Sequence, residues 1–427
     1  MTQDTGMTSQ PSCNDPVEPG VLSVPDAVAR LVLSAQPVSG FCRLPLRDAL
    51  HRVVYEDVHS TMNVPGHDNS AMDGYALAFD QLPQEGYRAF RVIGTAYAGQ
   101  PFEQAPGEGE CVRIMTGAPL PPGVDCVVIQ ESARVVDEQQ VELPGKGQKR
   151  GQNLRRAGED IRKGATVFPR GHYLKPADLG VLASLGINEL SVCRRPRVSF
   201  FSTGDELRSL GETLGKGDIY DSNRYSLHGL LRECEVELID MGVVRDDPDA
   251  LHQTLLEAAA CSDLILTSGG VSVGEADYIK TVLEEIGRIS FWKILMKPGR
   301  PLTFGHIGDA LFCGLPGNPV AVMVTFYQFV VPLIKRLSGR EYRPPLGFEA
   351  ICDSPIRKNP GRREFQRAIA EEDEQGRLHV RLTGRQGSGI LTSMSRANCF
   401  IVLDERCGPV AEGDRVRVEF FDQYFSH

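Results

Sequence analysis

The chain has 427 residues, of which 41% are hydrophobic and 24% are charged. These proportions are typical of a soluble globular protein, and the length predicts roughly two to four domains. Lysine and arginine (46) are outnumbered by aspartate and glutamate (56), which gives a formal net charge of −10. A general nucleic-acid-binding role needs a basic surface, so this charge argues against it. An anionic ligand would have to be bound by a local cluster of cations.

Cysteine usage and hydropathy indicate a cytoplasmic protein without a membrane segment. The 11 cysteines form no CxxC pair and no Cys/His group at zinc spacing, so we expect reduced, buried thiols. Residues 1–20 carry neither an apolar segment nor a basic start, which predicts a disordered tail rather than a signal peptide. The uncharged stretch 318–334 contains Pro332 and is interpreted as a buried core helix.

In chain order, the first predicted element is a helix over 25–36 in a region that covers residues 21–45. From 46 to 150, short β-rich runs alternate with Gly/Pro turns, which predicts a β-rich inserted domain. Residues 151–195 lead to a short helix that begins at Pro176. We interpret 21–45 and 151–195 together as one extended connecting domain.

The region 196–342 has the clearest pattern. Strands and helices alternate there with short connections, which predicts a doubly wound α/β domain. Asp247 and Pro248 are expected at the N-terminus of one of its helices. After a proline-rich break, residues 343–427 return to short β segments, which predicts a C-terminal β-barrel, with a sandwich as the alternative. The fold class is therefore multidomain α/β.

The stretch TSGGVSVGEAD, residues 267–277, follows a predicted strand of this domain. Gly269 and Gly270 permit close approach of the backbone, and Ser268 and Ser272 add hydroxyl donors, so the loop is suited to an anionic group. The alternative interpretation of this segment is an ordinary glycine-rich turn before a helix.

Acidic residues also fall at strand ends or helix starts that should share one rim of the sheet. Singly, each is more simply a helix cap or a solvated charge. Together, hard oxygen ligands beside an anion-binding loop are what Mg²⁺ held between protein and phosphates requires. The six are Asp205, Glu206, Asp221, Asp246, Glu275 and Asp277.

Cations complete the predicted rim. Lys293 and Lys297 are four residues apart on a predicted strand and should share a face, with Arg300 close behind. Two solvated lysines on an edge strand are the alternative. Farther along, Arg367 and Ser388 offer a second oxyanion site, although a solvated β surface is the commoner meaning of such residues.

Nine segments, in family order, resemble the molybdopterin molybdenumtransferases, the bacterial MoeA family that is also represented by the gephyrin E domain. The segments lie between residues 68 and 321, the resemblance as a whole extends over roughly residues 25–420, and the probability that nine ordered motifs match by chance is very small. The segments are DNSAMDGYA (68–76), RIMTGAPLP (113–121), GEDI (158–161), FSTGDEL (201–207), YDSNR (220–224), RDDPDAL (245–251), SGGVSVGEADY (268–278), KPGRPLTFG (297–305) and GLPGNPVA (314–321).

The resemblance implies a homodimer of four-domain subunits with a MogA-like α/β domain, in which the connecting domain also serves dimerisation. The active site would lie between the α/β domain and the β-rich domain of the other subunit. It implies insertion of molybdate into adenylylated molybdopterin, with release of AMP in a step that needs Mg²⁺. Transient contacts with molybdopterin adenylyltransferase and with other cofactor-biosynthesis or acceptor proteins are also implied.

The resemblance assigns roles by motif. The implied catalytic residues are Asp73, Thr116, Asp160, Glu206, Asp246 and Asp277, of which Glu206, Asp246 and Asp277 are also the implied metal ligands. The implied cofactor-binding residues are Ser222, Ser268, Gly269, Gly270, Ser272, Lys293, Lys297, Arg300, Pro316, Pro319, Arg367 and Ser388.

Two positions depart from the family pattern: His67 stands where an aromatic Phe is expected, and Arg300 where Lys is usual. Arg300 keeps the charge but presents a planar fork. Two other functions stay open at this point, a MogA-like molybdopterin adenylyltransferase and a gephyrin-like scaffold that binds partner proteins. Tungstate, which is nearly isosteric with molybdate, is an alternative substrate.

Overall fold

The computed structural model describes residues 21–269 and 278–425. The chain forms two compact units, one over residues 43–192 and the other over the remainder. The finer division into the regions 21–45 plus 151–195, 46–150, 196–342 and 343–427 stays a prediction.

A seven-stranded sheet forms the centre of the second unit. Its strands that end at Thr203, Val244, Ser268 and Leu315 are parallel, as the doubly wound prediction requires. The three inner strands, which end at Thr203, Ser268 and Leu315, are buried almost throughout because both faces of the sheet are covered, whereas the edge strand that ends at Val244 is partly exposed. In spatial order the strands are Val21–Leu22, Gly287–Ile294, Pro301–Ile307, Ala310–Leu315, Leu264–Ser268, Arg197–Thr203 and Glu237–Val244.

Helices cover both faces of this sheet and bury two separate cores. One core takes side chains from the helices Val24–Ser34, Ser222–Glu233 and Pro319–Leu337. The other takes side chains from the helices Pro248–Cys261 and Tyr278–Ile286. The expected cap is confirmed, since the Asp247 side chain accepts a hydrogen bond from the Ala250 amide at 2.9 Å. The α/β fold is confirmed.

The helix Pro319–Leu337 runs through the larger core. Among the described residues it is the one helix long and apolar enough, by length and composition, to cross a membrane. Its side chains are nevertheless mostly buried against the sheet and the first helix, and its middle turn, Phe326–Val330, is π-helical. The prediction of a buried core helix is therefore confirmed.

Five strands of the C-terminal region close into a barrel. Arg363–Glu372 and Cys399–Leu403 stand at the two ends of the strand order, and they also pair with each other. A short strand from the α/β region, Met296–Lys297, pairs in parallel with the start of the strand Arg363–Glu372. The predicted barrel is confirmed. In order, its strands are Arg363–Glu372, Leu378–Leu382, Phe348–Cys352, Arg415–Phe420 and Cys399–Leu403, and its helices are Thr392–Arg396 and Asp422–Phe425.

The unit of residues 43–192 contains a six-stranded sheet with apolar side chains packed on both faces. Its strands, in spatial order, are Cys126–Ile129, Gly74–Leu77, Glu110–Ile114, Tyr87–Ala96, Gln140–Pro144 and Arg134–Val135. A smaller core surrounds the helix Pro176–Ser184. Short strand pairs accompany it, namely Phe41–Pro45 with Glu189–Cys193, Val58–His59 with Thr166–Phe168, and Asn69–Ser70 with Leu154–Arg155.

Candidate functional site

The carboxyl ends of the parallel strands form the rim at which ligands of open α/β sheets bind. Asn223, in the first turn of its helix, links two loops of this rim. Its side-chain amide donates to the Ser268 hydroxyl at 2.8 Å and to the Gly317 carbonyl at 2.7 Å. One amide thus holds together the ends of two neighbouring strands and the helix that precedes them.

Four buried polar atoms at this rim have no hydrogen-bond partner within the described part of the chain: Ser202 Oγ, Asp221 Oδ2, Asn223 Oδ1 and Thr267 Oγ1. Buried polar groups in folded proteins are normally hydrogen-bonded, so such atoms indicate a place for a polar ligand or for water. The other carboxylate oxygen of Asp221 caps the helix by accepting from the Arg224 amide at 3.1 Å. Ser202 lies on the same face of the sheet as Ser268, to which Asn223 donates, whereas Thr267 lies beside Phe201 on the opposite face. We call the side chains of Ser202, Asp221 and Asn223 the polar cradle.

Gly269 brings the backbone close to the cradle. Its φ is +96°, and a Cβ atom at this position would lie 2.6 Å from the Thr203 carbonyl oxygen. Its amide donates to the Leu315 carbonyl at 3.2 Å. The close approach that the glycine pattern predicts is present at this residue. Three other predicted site residues, Gly270, Ser272 and Asp277, lie outside the described residues.

Two of the predicted acids lie at the ends of neighbouring strands. Asp246 is half-buried and accepts a short hydrogen bond from the Thr203 hydroxyl, which orients its carboxylate. Glu206 is exposed, with its carboxylate close to Gly204. Among the described residues no group of three or more Asp, Glu, His or Cys side chains could hold a metal. The donor set fits Mg²⁺, which proteins hold by one or two carboxylates together with substrate phosphates.

The prediction that Lys293 and Lys297 share one strand is wrong. Lys293 belongs to the strand Gly287–Ile294 of the α/β sheet, whereas Lys297 pairs with the barrel. The chain changes sheets at Leu295, whose carbonyl accepts from the Arg363 amide at 2.8 Å. Both lysines and Arg300 are exposed.

The loop GLPGNP begins the core helix and meets the barrel. Pro316 is buried, and Pro319 occupies the first turn of the helix after the cap residue Asn318. The Val320 amide in that turn donates to the Ser388 carbonyl at 3.0 Å. Ser222, half-buried, is the first residue of the helix that carries Asn223.

Arg367 is 1% exposed, so its guanidinium lies inside the barrel region. It donates to the Ser393 hydroxyl and to the Gly387 carbonyl, both at 3.1 Å. Burial lowers its pKa to about 10. The hydrogen bonds place Arg367 behind the loop that carries Ser388, where it supports that loop.

In the other unit, Asp73 and Thr116 are brought together across two loops. Thr116 donates its amide and its hydroxyl to Asp73 Oδ1, each at 2.7 Å. These hydrogen bonds, with a smaller contribution from Arg113, lower the pKa of Asp73 below its usual 3.8. The carboxylate is therefore ionised over the whole physiological range.

A third loop reaches the same end of this unit through Asp68. Its carboxylate accepts from the Ala157 amide at 2.8 Å and from Arg156 at 2.5 Å, while its carbonyl accepts from the Leu120 amide at 3.1 Å. The turn after Arg156 ends at Asp160, which is exposed, as is His67. Hydrogen bonds thus connect the three predicted loops of this unit to one another.

The sequence analysis missed Asn223 and Thr203 as site residues. Asn223 lies in the segment YDSNR, between the helix cap and the first buried turn, and Thr203 is the last residue of a strand. Polar residues at a strand end or in the first helical turn of an α/β unit are the signal that would have found both.

The fold and the rim define a multidomain α/β protein with buried polar groups at the carboxyl edge of its central sheet. Three family models match the chain in order. They are the MoeA N-terminal region (domain I and II) over residues 22–186, the probable molybdopterin binding domain over 199–336, and the MoeA C-terminal region (domain IV) over 349–421.

Individual relatives agree. The chain is 44% identical over 383 residues to the molybdopterin molybdenumtransferase of Haemophilus influenzae, covering 89% of this chain and 93% of that one. It is 34% identical to gephyrin of Dictyostelium discoideum, over 88% of this chain and 58% of gephyrin. A crystal structure of the molybdopterin biosynthesis moeA protein of Pyrococcus horikoshii covers 94% of this chain and 100% of its own, with 27% identity and a TM-score of 0.80.

The chain belongs to the molybdopterin molybdenumtransferase (MoeA) family. It is a transferase of molybdenum cofactor biosynthesis, and molybdopterin is its substrate. The family resemblance inferred from the nine segments is confirmed.

Proposed function

We propose that this protein inserts molybdate into the dithiolene of adenylylated molybdopterin and releases AMP in a Mg²⁺-dependent step. The observation that carries the proposal is the polar cradle, which lies in the region matched by the molybdopterin-binding model. Unpartnered acceptors and hydroxyls at a strand-end rim are suited to a ligand rich in hydrogen-bonding groups, such as a pterin.

Local charge supports binding of an anionic substrate by a protein whose net charge is −10. Lys293, Lys297 and Arg300 are exposed cations on consecutive segments. Backbone amides, serine hydroxyls and such cations suit a tetrahedral oxyanion, and they act over short distances at which the net charge of the whole protein matters less.

Asp246 and Glu206 would hold Mg²⁺, with Asp277 as the third acid implied by the family motif. When bound, Mg²⁺ supplies neutralisation of the charge on the phosphate oxygens. The role of Thr203 is to keep the Asp246 carboxylate oriented by its hydrogen bond.

AMP is released by hydrolysis: water forms a new P–O bond as the phosphoanhydride P–O bond of the adenylylated pterin breaks, and negative charge grows on the departing phosphate. Such reactions depend on positioning and on stabilisation of developing charge. Lys293 and Lys297 would provide that stabilisation, and the Asn223 amide would hold the loops around the substrate.

The active site would be shared between the two subunits of a homodimer. Asp73, Thr116 and Asp160 of one subunit would complete the site on the α/β domain of the other. The hydrogen bonds between their loops support this role, because they hold the polar groups of the loops in a fixed arrangement before substrate binds. The dimer would act in the cytoplasm and receive its substrate from a molybdopterin adenylyltransferase.

A reconstituted assay tests the proposal. Purified protein, adenylylated molybdopterin, Mg²⁺ and molybdate should yield AMP and molybdenum-loaded cofactor, and Asp277→Asn should abolish AMP release while leaving the protein folded. Tungstate in place of molybdate would report metal preference. Formation of adenylylated pterin from molybdopterin and Mg-ATP would support an adenylyltransferase instead, and a folded protein inactive in both assays would point to a scaffold.

A further inference from the structure

An ion pair joins the short strand Met296–Lys297 to the barrel. Lys297 Nζ lies 3.4 Å from Glu364 Oε1. The lysine side chain is 51% exposed, whereas the glutamate side chain is 5% exposed. The pair therefore joins a charge that faces solvent to a charge held inside the protein.

Two further contacts immobilise this glutamate. Gln366 donates its side-chain amide to Glu364 Oε2 at 2.5 Å, and Gln366 is itself buried. The backbone is also paired, since Met296–Lys297 runs parallel to Arg363–Glu364 with Lys297 opposite Glu364. The position of Lys297 is thus determined by residues of the barrel.

A buried carboxylate is costly unless a cation compensates it, and removal of one partner leaves the other charge unpaired. Glu364 therefore holds the Lys297 ammonium in one place, while its own freedom is removed by Gln366. A mobile lysine side chain loses conformational entropy when it binds an anion, whereas a lysine that is already held in place loses less.

We propose that Glu364 is a positioning residue of the reaction, which acts by holding the Lys297 ammonium where the substrate anion is bound. The inference rests on the proposed function, in which Lys297 contacts anionic substrate. Through Glu364 the barrel would contribute to the reaction, although Glu364 itself would not contact the substrate.

A double-mutant cycle tests this role. Turnover is measured by AMP release for wild type, Glu364→Gln, Lys297→Gln and the double variant, with thermal unfolding recorded for each. We expect Glu364→Gln to lower kcat about tenfold in the wild-type background, and less than about twofold when Lys297 is already Gln. Glu371→Gln, on the same strand but in an exposed pair with Arg381 at 2.8 Å, should leave kcat unchanged.

A purely structural role of Glu364 predicts the same fold-loss in both backgrounds, and that result, or the absence of any loss, overturns the proposal. If Glu364→Gln does not fold, Glu364→Asp replaces it: the retained but shortened carboxylate should give a smaller loss that again vanishes in the Lys297→Gln background. A wild-type protein that releases no AMP would refute the proposed function itself, independently of Glu364.

Discussion

Thr116 donates both its amide and its hydroxyl to a single oxygen of Asp73, and both distances are 2.7 Å. The two residues belong to loops that are far apart in sequence. A second link joins the same loops, because the Gly117 amide donates to the Ser70 carbonyl at 2.8 Å. The two segments identified separately in the sequence therefore act as one surface.

Thr116→Val should raise the pKa of Asp73 towards its usual value, because the side-chain donor is lost while the amide remains. The hydrogen bonds favour the charged form, so their contribution to stability is present above the unfolded-state pKa and is lost as pH falls through the lower folded-state value. NMR titration of the Asp73 carboxyl measures this. Thr166→Val, which removes an exposed hydroxyl near His59, should leave the titration unchanged, and an unshifted Asp73 in Thr116→Val would contradict the assignment.

Mixing two inactive variants tests the shared active site. Asp73→Asn and Asp246→Asn remove groups that we propose to come from different subunits. If the subunits exchange, half of the dimers are mixed and each has one intact site, so activity should return to about a quarter of wild type. The measurement is AMP release before and after subunit exchange. Activity that stays at the level of the single variants would place both residues in one subunit's site or rule out exchange, and a covalently linked mixed dimer separates these outcomes.

Gly269→Ala should destabilise the α/β domain. The positive φ costs about 1–3 kcal/mol for a residue with a side chain, and the new Cβ would meet the Thr203 carbonyl at 2.6 Å. Gly317→Ala is the matched variant at the same rim, since its Cβ would have the Gly269 Cα as nearest neighbour at 3.8 Å. Urea unfolding should show a clear loss for the first and little change for the second. Equal stability of the two variants would show that the loop is not held as described.

Lys335→Met should stabilise the protein at neutral pH. The lysine is 5% exposed, and burial, with a contribution from Arg340, lowers its pKa to about 8. The charged form is therefore disfavoured in the folded state, with an upper limit of about 3 kcal/mol at 1.4 kcal/mol per pKa unit. Because the unfolded lysine keeps its proton to higher pH, wild-type stability should rise between about pH 8 and 10 and the advantage of Lys335→Met should shrink.

Denaturant unfolding of both proteins at several pH values provides the comparison. Lys216→Met, which removes an exposed lysine of the same unit, should show no such pH dependence. A stability difference between wild type and Lys335→Met that is constant across this pH range would contradict the pKa assignment.

The local sequence pattern was sufficient to predict the α/β fold. Apolar strands buried on both faces alternate with capped helices, and Asp247 caps the helix that the sequence predicts. The exchange of sheets at Leu295 was not predictable, because the hydrogen bond that causes it comes from Arg363, far along the chain. A period-two pattern contains no information about which sheet a strand joins.

At the candidate site, too, residues with a local sequence signal could be predicted, and contacts between distant parts of the chain could not. Gly269 and Asp246 could be predicted as site residues because strand ends and glycine-rich turns carry local signals, and their roles stay predictions. Arg367 was assigned to an anion from its charge, yet it lies buried behind the loop that carries Ser388. Glu364 was not singled out in the sequence, and only its three-dimensional pairing with Lys297 distinguishes it from other charges of the barrel strands.

The central claim is that an acidic protein binds a doubly anionic substrate at the rim of its α/β sheet. A crystal structure of the protein with AMP, Mg²⁺ and molybdate tests this most directly. We expect phosphate density beside Asp246 and Lys297, with polar groups of the bound ligands near Asn223. Well-ordered ligand elsewhere, with the polar cradle filled by water alone, would contradict it.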